Sequence, residues 1–192
     1  MKKYSVKKLV LNGLMIALVF LTTYLTRIPT PLPGGYFNLG DAVIMLTAVI
    51  LGPISGLAAG AIGSGLADLA AGALLFAPIT FVVKGLEGLI VGLIAAKYMQ
   101  TVKKLDKPES RKTANPSTNL RLAVSLIVGA MIMVAGYFFA EAFLLGMFDE
   151  AFGVIAAVEE LLPNSIQGGM SAVLGYILIV ILSRMDIERY IE

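Results

Sequence analysis

Apolar residues in this chain run in blocks longer than a soluble core uses, broken by a few sharp polar or Gly/Pro interruptions. A helix needs about 20 predominantly apolar residues to cross the hydrocarbon core of a bilayer. Residues 9–26 form the first such block. Arg27 and the run Ile28-Pro29-Thr30-Pro31-Leu32-Pro33-Gly34-Gly35 close it, because those prolines and glycines cannot continue a helix. Apolar residues then dominate from Ala42 to Ala77, too long a stretch for one crossing at about 1.5 Å per residue. Gly52-Pro53 divides it into a short second helix, 41–51, and a third, 54–71. Whether the short helix crosses fully stays open. Pro78 starts a fourth helix, 78–98; a fifth is predicted over 122–148 and a sixth over 163–184. Between the fourth and fifth lies a polar linker, 99–120. Between the fifth and sixth, Asp149 to Leu162 reads as an acidic, partly amphipathic connection. The expected fold is all-α: one integral membrane domain over 1–192 with six transmembrane helices.

The placement of Lys and Arg predicts which side each segment faces. The amino-terminal tail, the segment from Lys97 to Arg121 and the carboxyl-terminal tail hold four, seven and two cationic residues, thirteen of the fifteen in the chain. Six crossings put all three on one side, so both termini are expected to be cytoplasmic in a cell membrane. Five crossings would separate the tails, against the charge pattern. The lysines before the first apolar block superficially resemble a signal peptide, but no small-residue cleavage site comes after them. An uncleaved first helix is the expectation.

Composition agrees with a membrane setting. Hydrophobic residues make up 58% of the chain and charged residues 15%, with a mean hydropathy of +0.87; soluble domains carry about 25% charged residues. A net charge of +2 gives no support to nucleic-acid binding. The chain has no Cys and no His, which removes thiol–imidazole catalysis and most zinc or haem sites. The Gly-rich stretch Gly52 to Gly65 lacks the Gly-Lys-Ser/Thr ending of a phosphate loop. No catalytic residue, metal site or cofactor is expected. No internal repeat of the kind that builds inverted-repeat transporters is visible, since Gly and Pro interruptions concentrate in the first half.

Ionisable residues inside a membrane are costly and usually face a cavity or a partner. Here they are Asp41, Asp68, Lys84, Glu87 and Glu141. Lys84 and Glu87 share a face of the fourth helix, and Glu141 lies at a depth comparable to Lys84 on the fifth. Asn164, Ser165 and Gln167 stand near the outer start of the sixth. One reading gathers these groups into an outward-facing pocket walled by Phe37, Phe76, Phe81 and Tyr137. The plainer reading pairs Lys84 with Glu141 to hold two helices together. Asp68 reads equally as a loop-binding or a ligand-binding group, and Asp41, beside Gly40, as a helix cap. Gly13 and Ala17 form a small-xxx-small pair on the first helix, and Gly56, Gly60 and Ser64 repeat that spacing on the third. Such faces allow close backbone approach in lipid, toward another helix of the chain or an external partner.

Taken in order, the proline-rich loop, Tyr36-Phe37-Asn38-Leu39-Gly40-Asp41, Leu51-Gly52-Pro53, Gly63-Ser64-Gly65-Leu66-Ala67-Asp68 and Lys84-Gly85-Leu86-Glu87-Gly88 resemble the substrate-capture (S) components of energy-coupling factor (ECF) vitamin transporters. The likeness is strongest to the riboflavin and hydroxymethylpyrimidine/pyridoxine branch; its motifs concentrate in residues 12–92, and the second half matches by pattern. The resemblance implies a six-helix subunit of an ATP-binding-cassette importer that binds a water-soluble vitamin near the outer surface. It implies a transmembrane coupling subunit and two cytoplasmic ATPases as partners, which use the ATP. By position it implies ligand contacts from Asn38 and its neighbours, Lys84, Glu87, Glu141, Asn164 and Gln167, and coupling-subunit contact from Gly13 and Ala17. The absence of Trp speaks against thiamine, and a single pocket cation against folate and similar polyacids. Pyridoxine or hydroxymethylpyrimidine fits, and riboflavin stays open. Two other classes compete: a stand-alone secondary transporter or channel relaying protons through Lys84, Glu87 and Glu141, and a membrane scaffold without a small-molecule ligand.

Overall fold

The computed structural model describes residues 6–30, 35–104 and 116–184. Lys2, Lys3, Lys107, Arg111, Lys112 and Arg189, which carry part of the sidedness expectation, lie outside them, as does the middle of the proline-rich loop. Among the described residues five helices are long and apolar enough to cross a membrane, and one shorter apolar helix accompanies them. We label them α1 (Val6–Leu25), α2 (Gly40–Leu51), α3 (Pro53–Ala71), α4 (Phe76–Lys104), α5 (Pro116–Phe139) and α6 (Val154–Arg184).

The shortest helix is the centre of the bundle. Every residue of α2 from Gly40 to Val49 is buried, as expected of a helix that is apolar on all sides and therefore surrounded by protein. Its 12 residues rise about 18 Å, against about 30 Å of hydrocarbon. It packs against α1, α3, α4 and α6. By contrast α1 is peripheral, with only 11% of its apolar span buried, and Leu9, Leu14, Leu21 and Leu25 are exposed along it. Such a surface is tolerable only in lipid or against a partner.

Hydrocarbon around the helices removes the usual hydrophobic drive for packing, so contact rests on dispersion, hydrogen bonds and close backbone approach. The small-residue stripes of α3 and α4 face each other for this reason. A methyl group added at Gly56 would stand 2.7 Å from the Gly88 carbonyl oxygen, and one at Gly60 2.8 Å from the Lys84 carbonyl carbon. Glycine is what brings the Lys84 backbone against α3.

Two π-helical turns occur among the described residues, Ala59–Ser64 within α3 and Ala140–Leu144 directly after α5, the latter leading into a 3₁₀ turn at Leu145–Met147. Each inserts a residue into the helical ladder and rotates the next turn of chain about the helix axis, a feature that often marks functional sites. Between α1 and α2 the chain forms a two-residue antiparallel ladder, Ile28 opposite Phe37 and Pro29 opposite Tyr36. The Thr30 amide donates to the Gly35 carbonyl at 3.1 Å and closes the loop.

The largest departure from the expected architecture is at α6. The acidic connection is irregular only as far as Gly153 (φ 141°); the helix begins at Val154, and Pro163 lies inside it. Proline cannot donate its i→i−4 bond, but membrane helices tolerate it where neighbours re-satisfy the freed groups. Likewise α4 starts at Phe76 with Pro78 in its first turn, where the missing N–H is harmless. The polar linker is shortened from both ends, by α4 reaching Lys104 and α5 starting at Pro116.

Gly88→Val should lower the melting temperature of the detergent-solubilised protein, by the about 1–3 kcal/mol or more typical of overpacking. Gly169→Val, at a position with nothing within 4 Å of an added Cβ, should not. Size-exclusion thermostability of the two variants checks this.

Candidate functional site

One buried ion pair organises the polar interior. Lys84 Nζ on α4 donates to Asp41 Oδ1 on α2, with side chains 2% and 1% exposed, and stands 3.8 Å from Glu87 Oε2. Asp41 therefore does not cap its helix. The residue before α2 is Leu39, with no side-chain cap bond, and the Asp41 carboxylate turns inward to the lysine. The expected partner of Lys84, Glu141, is not its partner; α2 lies nearer to α4 at that depth than the π turn carrying Glu141 does.

The second oxygen of Asp41 accepts from Gln167 Nε2 on α6 at 2.9 Å. Gln167 Oε1 in turn accepts the Asn38 backbone N–H at 2.8 Å, while Asn38 Oδ1 accepts from the Gly40 amide at 2.9 Å. The Leu39 amide donates to Thr26 Oγ1 at 3.0 Å. The loop entering α2 is thus tied to α6 and α1 by side chains, and α2 to α4 and α6 by charge.

Beside this network lies a cavity. Asn38, Asp68, Lys84, Tyr137, Glu141, Glu160, Asn164 and Gln167 line it, with Tyr36, Phe76 and Thr80. These positions come from the carboxyl-terminal end of α3, the first turns of α4, the far end of α5 and the first half of α6, so the cavity sits at one end of the bundle under the loop. The free space left among the side chains is about 30 Å³, room for one or two waters. Both π turns deliver a polar residue to it, Ser64 and Glu141. Phe76 packs edge-on against Phe152 with centroids 5.6 Å apart, and the Tyr137 and Thr80 hydroxyls are 2.8 Å apart. Lys84 Nζ lies 5.4 Å from the Tyr137 ring centre, within cation–π range.

At the loop, Tyr36 donates its hydroxyl to Asp68 Oδ1. Burial, then the nearby Asp68 charge, pushes the Tyr36 hydroxyl pKa up, which keeps it a donor. Arg27 caps the same corner, donating to the Tyr24 carbonyl at 3.0 Å and stacking 4.4 Å from the Tyr24 ring.

Of the residues expected at the site, Asn38, Lys84, Tyr137, Glu141, Asn164 and Gln167 come together around the cavity. Phe37 does not: it occupies the ladder opposite Ile28. Glu87 is fully buried beneath Lys84 and is not part of the lining. Phe81 is 51% exposed on the outside of the bundle, and Ser165 faces outward with it. Gly13 and Ala17 lie together on the exposed face of α1. Sequence reasoning missed Glu160, because its segment reads as a connection, and Thr80, because a neutral polar residue gives no signal in an apolar run; Tyr36 stood in the first-loop motif but was not singled out from it. The spacing Glu160, Asn164, Gln167 on one helical face was the available clue to Glu160.

The class is therefore a multi-pass helical membrane protein with a polar cavity at one end of its bundle. Residues 3–184 match the family of ECF-type riboflavin transporter S components, and the chain belongs to that family. An uncharacterised protein in the gap 3′ region of Pyrococcus woesei is 40% identical over 119 residues, 62% of this chain and 68% of that one. A UPF0397 protein of Streptococcus pneumoniae (strain Hungary19A-6) is 38% identical over 100 residues, 52% of this chain. The chain spans about half the length of that relative, 53%. A solved structure described as the S component of a bacterial ECF transporter shares the fold, with a TM-score of 0.63 over 93% of this chain and 96% of that one at 18% identity.

Removing one partner of a buried pair costs about 3–5 kcal/mol. Asp41→Asn and Lys84→Met should each destabilise the solubilised protein on that scale, and the double variant by clearly less than the sum. Strictly additive losses in the double-mutant cycle would count against the pairing.

Proposed function

We propose that this chain is the substrate-binding membrane subunit of an ECF-type ATP-binding-cassette importer, with a small water-soluble vitamin or vitamin precursor as cargo. The observation that carries the reading is the polar cavity at one end of the bundle, walled by Phe76 and Tyr137, in a chain of the S-component family. Aromatic walls with a few fixed polar groups are what orient a small heterocycle.

Size favours a pyridoxine- or hydroxymethylpyrimidine-scale ligand over riboflavin. Ligand sites occupy about 300–1,000 Å³, so even a single ring must part the side chains that now leave about 30 Å³. A three-ring system must part them further. Asn38, Lys84, Tyr137, Glu141, Asn164 and Gln167 are the proposed binding set, with Asp68 and Glu160 added. Gln167 and Lys84 hold the loop and α2 in place as well as facing the ligand.

Energy for transport comes from partners in this reading: a transmembrane coupling subunit and two cytoplasmic ATPases. The open face of α1 supports it. Among the described residues no atom lies within 4 Å of an added Cβ at Gly13, so the Gly13–Ala17 face is free of the described helices and suits close approach by a partner helix. The cation distribution along the chain supports cytoplasmic termini and an outward-facing cavity.

Mass spectrometry of small molecules retained by the protein in mild detergent should find a bound vitamin or precursor. Uptake into proteoliposomes should require the coupling subunit, the ATPases and ATP. Uptake driven by a pH gradient without them would favour a secondary transporter built on the buried Glu87, whose carboxylate oxygens lack a hydrogen-bond partner among the described residues. Glu141→Ala should weaken ligand binding at least about tenfold, the scale of a lost charged hydrogen bond, while Asp149→Ala, on the exposed loop, leaves it within twofold.

A further inference from the structure

The cavity carries an excess of acid that its cation does not balance. Asp68, Glu141 and Glu160 all line it and are 2%, 2% and 4% exposed. Each presents one carboxylate oxygen that has no hydrogen-bond partner among the described residues: Asp68 Oδ2, Glu141 Oε2 and Glu160 Oε1. Buried acceptors left unpaired are strongly unfavourable, so unpaired ones gathered at a cavity mark where a ligand's donors belong.

The balancing charge within the protein is already committed. Lys84 donates to Asp41 and stands 3.8 Å from Glu87, and both of those acids lie outside the cavity lining. Arg27 is also outside the lining, held against the Tyr24 and Tyr36 rings and bonded to the Tyr24 carbonyl. A ligand therefore meets acceptors on Asp68, Glu141 and Glu160 and no uncommitted cation among the described residues. A metal ion does not fit the same groups, since no cluster of three acidic side chains with metal-binding geometry occurs among the described residues.

We propose that the cavity selects a cationic, donor-rich heterocycle, with its ring against the Phe76–Tyr137 aromatic pair and an amine or protonated nitrogen on Glu141 and Glu160. This deepens the substrate-binding reading and rests on it. It excludes carboxylated and phosphorylated forms of the cargo, which would place a like charge beside these acids, and it disfavours ring systems edged mainly by carbonyl oxygens.

Three probes that share one pyridine ring isolate the charge: pyridoxamine with an aminomethyl group, pyridoxine with a hydroxymethyl group and 4-pyridoxate with a carboxylate. Isothermal titration of the detergent-purified protein should show pyridoxamine binding at least about tenfold more tightly than 4-pyridoxate, the scale of a charge-assisted hydrogen bond, with pyridoxine between. Glu141→Gln and Glu160→Gln should each lose most of that amine-over-acid preference, and Glu160→Asp, which keeps the charge, should retain it. Helical circular dichroism and size-exclusion elution matching the parent show that the variants are folded. Equal binding of the three probes, preference for the acid, no binding of any, or an unchanged preference in both Gln variants overturns the proposal. If module- and ATP-dependent uptake of an anionic vitamin is then found, this inference fails while the S-component reading stands. Uptake without the module sinks that reading instead.

Discussion

A lysine ammonium cannot sit among apolar helices unless a counter-charge meets it there, and the Lys84–Asp41 pair is the constraint on which this structure turns. Because Asp41 is in the first turn of α2, the pair holds the short helix at the middle of the bundle at a fixed height. Gln167 adds a bond from α6 to the same carboxylate, so three helices meet at one acid. In a low-dielectric interior these contacts are strong, but the desolvation they require is also large. The pair is therefore better understood as specifying one arrangement of α2, α4 and α6 than as a source of net stability.

That arrangement also needs the backbones to be close enough for short side chains to meet. Glycines supply the approach. Gly60 lets α3 rest on the carbonyl of Lys84 itself, and Gly56 and Gly88 do the same one turn along. In lipid such contact replaces the hydrophobic drive available in water. The two π turns then adjust what close packing alone would not, bringing Ser64 and Glu141 to the cavity wall. Charge, small residues and helical irregularity act on the same few turns of chain.

The bundle was legible from block lengths, because apolar runs near 20 residues have few alternatives, and Gly52-Pro53 divides α2 from α3 as its helix-breaking residues predict. The ion pair was only half legible. Lys84 stood out as a cation in an apolar run, but Asp41 sits just after a Gly at a helix start, and a capping role is the common fate of Asp there. Only the three-dimensional proximity of α2 and α4 shows otherwise. Glu160 was hidden because Pro163 looked like a helix start, when the membrane setting lets the helix run through it. Phe37 and Phe81 were misplaced for a simpler reason: an aromatic in an apolar stretch carries no information about which side of its helix or loop it faces.

The two halves of the cavity wall differ in what holds them. On the helical side, moving α4 away from α2 would separate buried charges, at about 3–5 kcal/mol, and would undo backbone contacts that glycines make specific. On the loop side, residues 26–30 and 35–39 are held by a short ladder and a few side-chain bonds: Tyr36 to Asp68, Asn38 to Gln167, and Leu39 to Thr26. Net hydrogen bonds of this kind contribute about 0.5–1.5 kcal/mol each, somewhat more to a charged acceptor, and a ligand can replace those made to Asp68 and Gln167 with its own. These bonds are consequently the part of the wall that yields at least cost. Under the proposed binding mode, a ligand donor on the Asp68 carboxylate would offset in part the free energy of parting it from Tyr36. In the proposed reading, Asp68, buried and bonded to Tyr36 but with one oxygen unpaired among the described residues, holds the loop in the empty site and accepts a donor in the filled one.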